Sequence, residues 1–328
     1  MCIRDRYPTY PILWSALLVF PIYALGRSIF NRKVGLLAAF FIALTPAQIE
    51  RISLGFADHD SMVLFFITCT FYFFLMALRN LKIQNWVRSW GSSDDIVTGI
   101  YTWQRDNRVA IGYAVLAGLA LAGVGLIWKG LAYVFTIIFL YFMFELLLNK
   151  VRNTDSMGVT FIVFITLVTS MLTMLPYYYA TSRITYLDAP IVFMTGMVLF
   201  AMIFVPTRDR PWITIIPTFF IIVGVGIGIL YLAFPELWYT MSTGMGYFVK
   251  SKLVSTIAEA QPGDFSRLSF AFGMLNYFMA LIGFAFLVYR FSKDLKTDAV
   301  FLVIWSIVMI YMALSTVRFM HDASTIFA

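Results

Sequence analysis

The stretch VAIGYAVLAGLALAGVGLIWKGLAYVFTIIFLYFMFELLL, residues 109–148, decides what kind of protein this is. The hydrocarbon core of a bilayer takes about 20 residues of helix. The stretch is twice too long for one crossing and too apolar for a helix that packs on a soluble core. Lys129 and Gly130, within Trp128–Lys129–Gly130, supply the polar and flexible point where the chain can turn. It therefore reads as two spans, 109–127 and 129–148. Glu145 lies near the end of the second, beside Lys150 and Arg152, and is expected to pair there.

The same criterion, applied outward, marks eight more spans: 8–29, 34–50, 61–79, 157–175, 186–205, 212–234, 267–290 and 298–316. The expected fold is all-α, a polytopic membrane protein of about ten spans. Composition agrees. Of 328 residues 61% are hydrophobic, 12% are charged and 33 are Phe, and the mean hydropathy is +0.84, which excludes a soluble domain. Two cysteines, Cys2 and Cys69, exclude a disulfide framework. The formal net charge of +7 would suit nucleic acid in a soluble chain. In a membrane protein it reflects basic loops on one side, so the expected partner is the lipid bilayer and no nucleic acid. The opening MCIRDR, residues 1–6, does not read as a secretory signal. It is expected to be a foreign or truncated leader, because apolar sequence begins almost at once at Tyr7.

Alternate loops collect most of the 24 lysines and arginines on one side, from Arg27, Arg32 and Lys33 at the first turn to Arg290, Lys293 and Lys296 near the end. That side is cytoplasmic by the positive-inside rule, which places GFADHDS, residues 55–61, on the external side. Two loops are long. Residues 80–108, cytoplasmic, carry Trp86, Trp90 and Trp103 among basic residues and read as an interfacial segment. Residues 235–266, external, separate the spans of 7–234 from those of 267–328. The glycines of GVGIG, residues 224–228, lie inside a span and are expected at a close helix contact.

Charge is scarce in this chain, so two aspartates and a histidine in succession call for an explanation. Asp58 and Asp60 diverge on a helix but can face one way in a turn. Two such carboxylates are hard oxygen ligands for Mg²⁺ or Mn²⁺, and His59 adds a nitrogen that favours Mn²⁺. The competing reading is capping, since Asp60 and Ser61 immediately precede the span at 61–79 and a helix N-terminus favours both. Glu259 lies in the external loop, Arg51 leads into the aspartate loop beside Glu50, and Arg318 follows the last span. Taken singly these read as a solvated acid, a local ion pair and a snorkelling flank residue. No Ser–His–Asp order, glycine-rich phosphate loop or Cys-x-x-Cys is present.

Together the pieces resemble the catalytic subunit family of oligosaccharyltransferase, in its archaeal-like branch. Arg51-x-Ser53-x-Gly55-x-x-Asp58-x-Asp60 is similar to its second external acidic motif, and Ser255-Thr256-Ile257-Ala258-Glu259 is similar to its TIxE motif. The resemblance implies a GT-C type transmembrane helix bundle, of which the ten spans would be the second through the eleventh. It implies a metal-dependent transfer of an oligosaccharide from a polyprenyl or dolichyl (pyro)phosphate to Asn of Asn-x-Ser/Thr. Asp58 would bind Mn²⁺ or Mg²⁺ with Asp60 or His59. Glu259 would contact the acceptor amide, Arg318 the lipid-linked oligosaccharide's phosphates, and Arg51 would order the aspartate loop. The family's first acidic loop, last spans and soluble domain are not recognisable here, so the chain reads as an inactive fragment. A secondary transporter would place its acids near the midplane of the bilayer, and other GT-C transferases lack the TIxE-like loop.

Overall fold

The computed structural model describes residues 9–52, 58–87, 89–205, 211, 213, 215–242, 261–294 and 296–328. All regular structure among them is helical: α1 (Tyr10–Ile29), α2 (Arg32–Leu44), α3 (Pro46–Ile52), α4 (Asp60–Arg79), α5 (Ser93–Asp106), α6 (Arg108–Ile127), α7 (Ala132–Arg152), α8 (Met157–Ala180), α9 (Asp188–Phe204), α10 (Ile215–Ala233), α11 (Pro235–Ser242), α12 (Phe265–Phe272), α13 (Met274–Asp294), α14 (Thr297–Ser315) and α15 (Met320–Phe327). Nine of these are long and apolar enough to cross a bilayer. Hydrocarbon offers no water to unpaired backbone groups, and a helix satisfies its own.

The apolar stretch 109–148 folds as two helices, α6 and α7, joined by a single 3₁₀ turn at Lys129–Leu131. Glu145 pairs with Arg152 across 3.8 Å. The expected span at 34–50 differs. It breaks into the thirteen residues of α2 and the seven of α3. Thr45 is held extended at φ −65°, ψ 123°, as a residue before proline must be, and Pro46 opens α3. Thirteen helical residues rise about 20 Å, short of the roughly 30 Å of hydrocarbon. The break turns α3 into a separate short helix, and α3 carries Arg51.

Two compact units are present, one of residues 1–72 with 242–328 and one of residues 73–241. In the first, α1 and α2 form a hairpin in which Gly26 and Gly35 touch: a Cβ on Gly26 would lie 2.8 Å from the Gly35 Cα. Phe71 of α4 packs edge-on against Phe301 and Trp305 of α14, at 5.3 and 4.6 Å between centroids. Val317 donates its N–H to the Gln261 carbonyl at 2.9 Å, and the Gly263 N–H bonds the Leu314 carbonyl at 2.8 Å. Residues 261–263 are thereby tied to the chain beside Arg318.

In the second unit, α6 and α8 pack through small side chains, with Ala110, Ala114, Ala117 and Gly118 buried. A Cβ on Gly118 would stand 2.5 Å from the Thr166 carbonyl oxygen, and the Thr166 hydroxyl donates to the Ala114 carbonyl at 3.2 Å. Close backbone approach of this kind drives association between spans, where the hydrophobic effect supplies little. The glycines at 224–228 play no such part: a Cβ on Gly224, Gly226 or Gly228 would meet nothing among the described residues within 4 Å. Their helix, α10, is almost wholly uncovered by those residues. The tryptophans of 80–108 also differ from a purely interfacial reading. Trp103 is buried against Phe161 of α8, with centroids 4.7 Å apart, and Trp86 is buried too, while Val97 and Tyr101 form the exposed face of α5.

The glycine contrast is testable. Gly118→Ala should destabilise the protein by about 1–3 kcal/mol, the usual cost of overpacking, whereas Gly224→Ala should leave stability unchanged. Thermal unfolding of the two variants in detergent checks both.

Candidate functional site

α3 ends at Ile52, and the chain is next described at Asp58, at the mouth of α4. α4 begins at Asp60, and the Val63 N–H bonds the His59 carbonyl at 3.0 Å. Asp60 thus sits in the first turn, where the helix dipole favours an anion. Ser61 is buried and accepts a hydrogen bond from the Ser15 hydroxyl of α1 at 3.0 Å. Asp58 precedes the helix and Asp60 opens it, and both carboxylates face the same guanidinium of Arg51.

One oxygen of Asp58, Oδ1, accepts from its neighbour's backbone N–H at 2.7 Å and lies 2.7 Å from His59 Nδ1. A carboxylate at that distance accepts from Nδ1–H. His59 Nε2 is buried and has no hydrogen-bond partner among the described residues. The donor atoms of Asp58, His59 and Asp60 lie within 4.8 Å of one another. Two carboxylates and an imidazole clustered in this way suit a divalent cation such as Mn²⁺ or Zn²⁺, so the residues present fit a metal.

Arginines bracket the triplet. Arg51 Nη1 lies 3.1 Å from Asp60 Oδ2 and 3.6 Å from Asp58 Oδ2. Arg318 Nη2 approaches the other oxygen, Asp60 Oδ1, at 3.7 Å. Arg318 stands in the 3₁₀ turn Val317–Phe319 between α14 and α15. Five of the six site residues read from the sequence, Arg51, Asp58, His59, Asp60 and Arg318, are therefore in one place. The sixth, Glu259, lies outside the described residues.

Beneath this cluster lies a group that sequence reading passed over. His321 is 4% exposed, and its Nδ1 donates to the Ala47 carbonyl at 3.3 Å. Burial lowers its pKa below 6.5, opposed by the negative charge of Asp60 and by the bond to Ala47. The available signal was a His–Asp pair immediately after an apolar span, in RFMHD.

Fold and site together define a polytopic integral membrane protein with an acidic triplet, held between two arginines, at the N-terminal end of a spanning helix. The family described as "Oligosaccharyl transferase STT3, N-terminal" matches residues 10–327, and the chain belongs to it. Dolichyl-phosphooligosaccharide-protein glycotransferase 3 of Archaeoglobus fulgidus is 25% identical over 91% of this chain and 35% of its own length. The fold is that of the archaeal oligosaccharyltransferase AglB from A. fulgidus, in complex with an inhibitory peptide and a dolichol-phosphate: TM-score 0.78, 22% identity, 98% of this chain and 38% of that one. The A. fulgidus oligosaccharyltransferase in complex with Zn and sulfate matches at TM-score 0.59 and 21% identity, over 98% of this chain and 36% of its own. The chain spans about a third of the length of these relatives.

His321 makes a stability prediction with a definite sign. Its folded pKa is depressed, so the neutral imidazole stabilises the fold above pH 6.5 and that contribution is lost as pH falls. Lowering the pH from about 7.5 to about 5.5 should lower the melting temperature. The drop should be smaller in His321→Asn, whose amide can keep a donor without titrating.

Proposed function

We propose that this chain forms the membrane-embedded part of a metal-dependent oligosaccharyltransferase. It would transfer an oligosaccharide from a polyprenyl or dolichyl (pyro)phosphate to the side-chain nitrogen of Asn in Asn-x-Ser/Thr. The observation that carries this reading is the Asp58–His59–Asp60 triplet with Arg51 and Arg318 on either side of Asp60. The triplet supplies hard ligands and amide acceptors. The arginines supply donors for phosphate oxygens. The distribution of lysine and arginine supports an external position for the site.

The chemistry explains why such groups belong together. An amide nitrogen is a poor nucleophile, because its lone pair is delocalised into the carbonyl. Carboxylates that accept its N–H bonds favour a less conjugated state and take up the proton as the nitrogen attacks. The C–N bond forms at the anomeric carbon of the donor sugar while its bond to the phosphate oxygen breaks. The lipid (pyro)phosphate leaves, and Arg318 is placed to bind it by two parallel hydrogen bonds. Mn²⁺ or Mg²⁺, held by Asp58 with Asp60 or His59, would add Lewis-acid stabilisation of the leaving phosphate. Arg51 would order the aspartate loop, its Nη1 reaching Asp60 at 3.1 Å and Asp58 at 3.6 Å. Glu259 is the proposed second partner of the acceptor amide.

The parts attributed to the relatives agree with this assignment: dolichol-phosphate and a peptide in one structure, Zn and sulfate in another. The test uses the full-length gene product in lipid, with Mn²⁺, a lipid-linked oligosaccharide and an Asn-x-Thr peptide, and reads glycopeptide by its mass shift. Chelation should abolish transfer and Mn²⁺ should restore it. Asp58→Ala should lower kcat by about 100-fold or more, the scale of losing a group that acts only in the transition state. Wild-type protein that forms no glycopeptide, or transfer indifferent to chelation, would overturn the reading.

Arg318→Ala should act on the other substrate. Its loss should raise the KM for the lipid-linked donor by about tenfold and leave the KM for peptide unchanged. The reverse pattern would remove Arg318 from the donor side.

A further inference from the structure

We propose that Gln48, Ser324 and His321 form a buried polar latch that sets where Arg51 and Arg318 stand across Asp60, so that Gln48 is a positioning residue for the phosphate end of the lipid substrate. The proposal rests on the phosphate-binding role assigned to Arg318 above.

The helices next to the two arginines are short: α3 carries Arg51, and α15 follows the turn that carries Arg318. α3 has seven residues and α15 has eight, and isolated helices of that length are not stable in water. Their relative position must come from contacts between them. Gln48 Nε2 donates to Ser324 Oγ at 2.7 Å. The same hydroxyl donates onward to the His321 carbonyl at 2.6 Å. His321 Nδ1 donates back to Ala47 of α3 at 3.3 Å; a carbonyl can only accept, so the proton is on Nδ1. The path runs from α3 to α15 and returns. Gln48 is 3% exposed, Ser324 0% and His321 4%. In such surroundings a hydrogen bond is strong and a lost partner is costly.

The arginines differ from the latch in kind. Their side chains are partly exposed, 14% for Arg51 and 26% for Arg318. Coulomb attraction depends on distance and little on direction, so these ion pairs hold charge near charge without fixing register. Apolar packing, such as the Phe327–Phe272 stack at 4.0 Å, fixes the distance between elements but tolerates sliding. Directional bonds three residues before Arg51 and three to six residues after Arg318 fix the register. The two guanidinium groups inherit it, and Asp60 is met from both sides.

The test measures binding of dolichyl phosphate to the full-length protein in nanodiscs for wild type, Gln48→Met, Arg318→Ala and the double variant. Hydrogen exchange of the α15 amides is followed in parallel. Gln48→Met keeps the volume and removes the donor; Ser324→Ala breaks the same bond without added bulk and serves if Gln48→Met does not fold. We expect Gln48→Met to weaken binding by about tenfold. We expect the double variant to be no weaker than Arg318→Ala alone, because a latch that acts only through Arg318 has nothing left to position. Residues 320–327 should exchange faster in Gln48→Met.

A role in stability alone would make the two losses multiply, to about a hundredfold, and that outcome overturns the proposal. So does unchanged exchange in α15, whatever ligand binds. Glycopeptide formation by the wild type is measured separately. Protein that binds dolichyl phosphate through Arg318 but transfers no sugar would overturn the transferase reading and leave the latch standing.

Discussion

Asp60 is met by two guanidinium groups that lie far apart in the chain, Arg51 at 3.1 Å and Arg318 at 3.7 Å. A partly buried carboxylate needs compensating charge, and much of the first unit is arranged to deliver it. The extended Thr45 and the proline after it end α2 early and free α3 to carry Arg51. The 3₁₀ turn after α14 presents Arg318. The start of α4 adds its dipole to the same carboxylate. Lengthening α2 through residue 50 as one span would remove the short element on which Arg51, Gln48 and Ala47 all sit.

Two kinds of adhesion operate within the two units. Spans are held by close contact of small residues, Gly26 on Gly35 and Gly118 on the Thr166 carbonyl, and by aromatic edges such as Phe71 on Trp305. The short helices near the site are held by directional hydrogen bonds among buried polar groups. Close packing resists compression and separation, which suits a scaffold. Directional bonds resist sliding, which suits a site whose charged groups must stay in register.

A metal and the arginines would draw on the same carboxylates at the triplet. Asp60 uses both oxygens toward arginines, while Asp58 braces the His59 imidazole and leaves Nε2 open. A cation at the triplet would add positive charge near Arg51 and Arg318, so the acidic pair is shared between fixed and mobile cations. An anionic phosphate in the same place would relieve that excess. Acid and arginine, with any cation the triplet binds, would thus form one electrostatic system rather than independent contacts.

Much of the architecture was legible in the amino-acid order because a bilayer imposes a length and a polarity on every crossing. The split of residues 109–148 at Lys129 and the Glu145–Arg152 pair both follow from local composition. So does the pairing of chemistry in Asp58, His59 and Asp60, since scarce charge in an apolar chain is conspicuous. Tertiary structure decided the rest. Glycines at 118 and at 224–228 look alike in sequence, and only the neighbour opposite each determines which one packs. Trp103 turned inward because Phe161 was there to receive it. Gln48, Ser324 and His321 are ordinary polar residues in the sequence, 276 positions apart between the two that touch. Their role exists only once α3 and α15 meet, because a hydrogen bond depends on distance and direction, which composition does not encode.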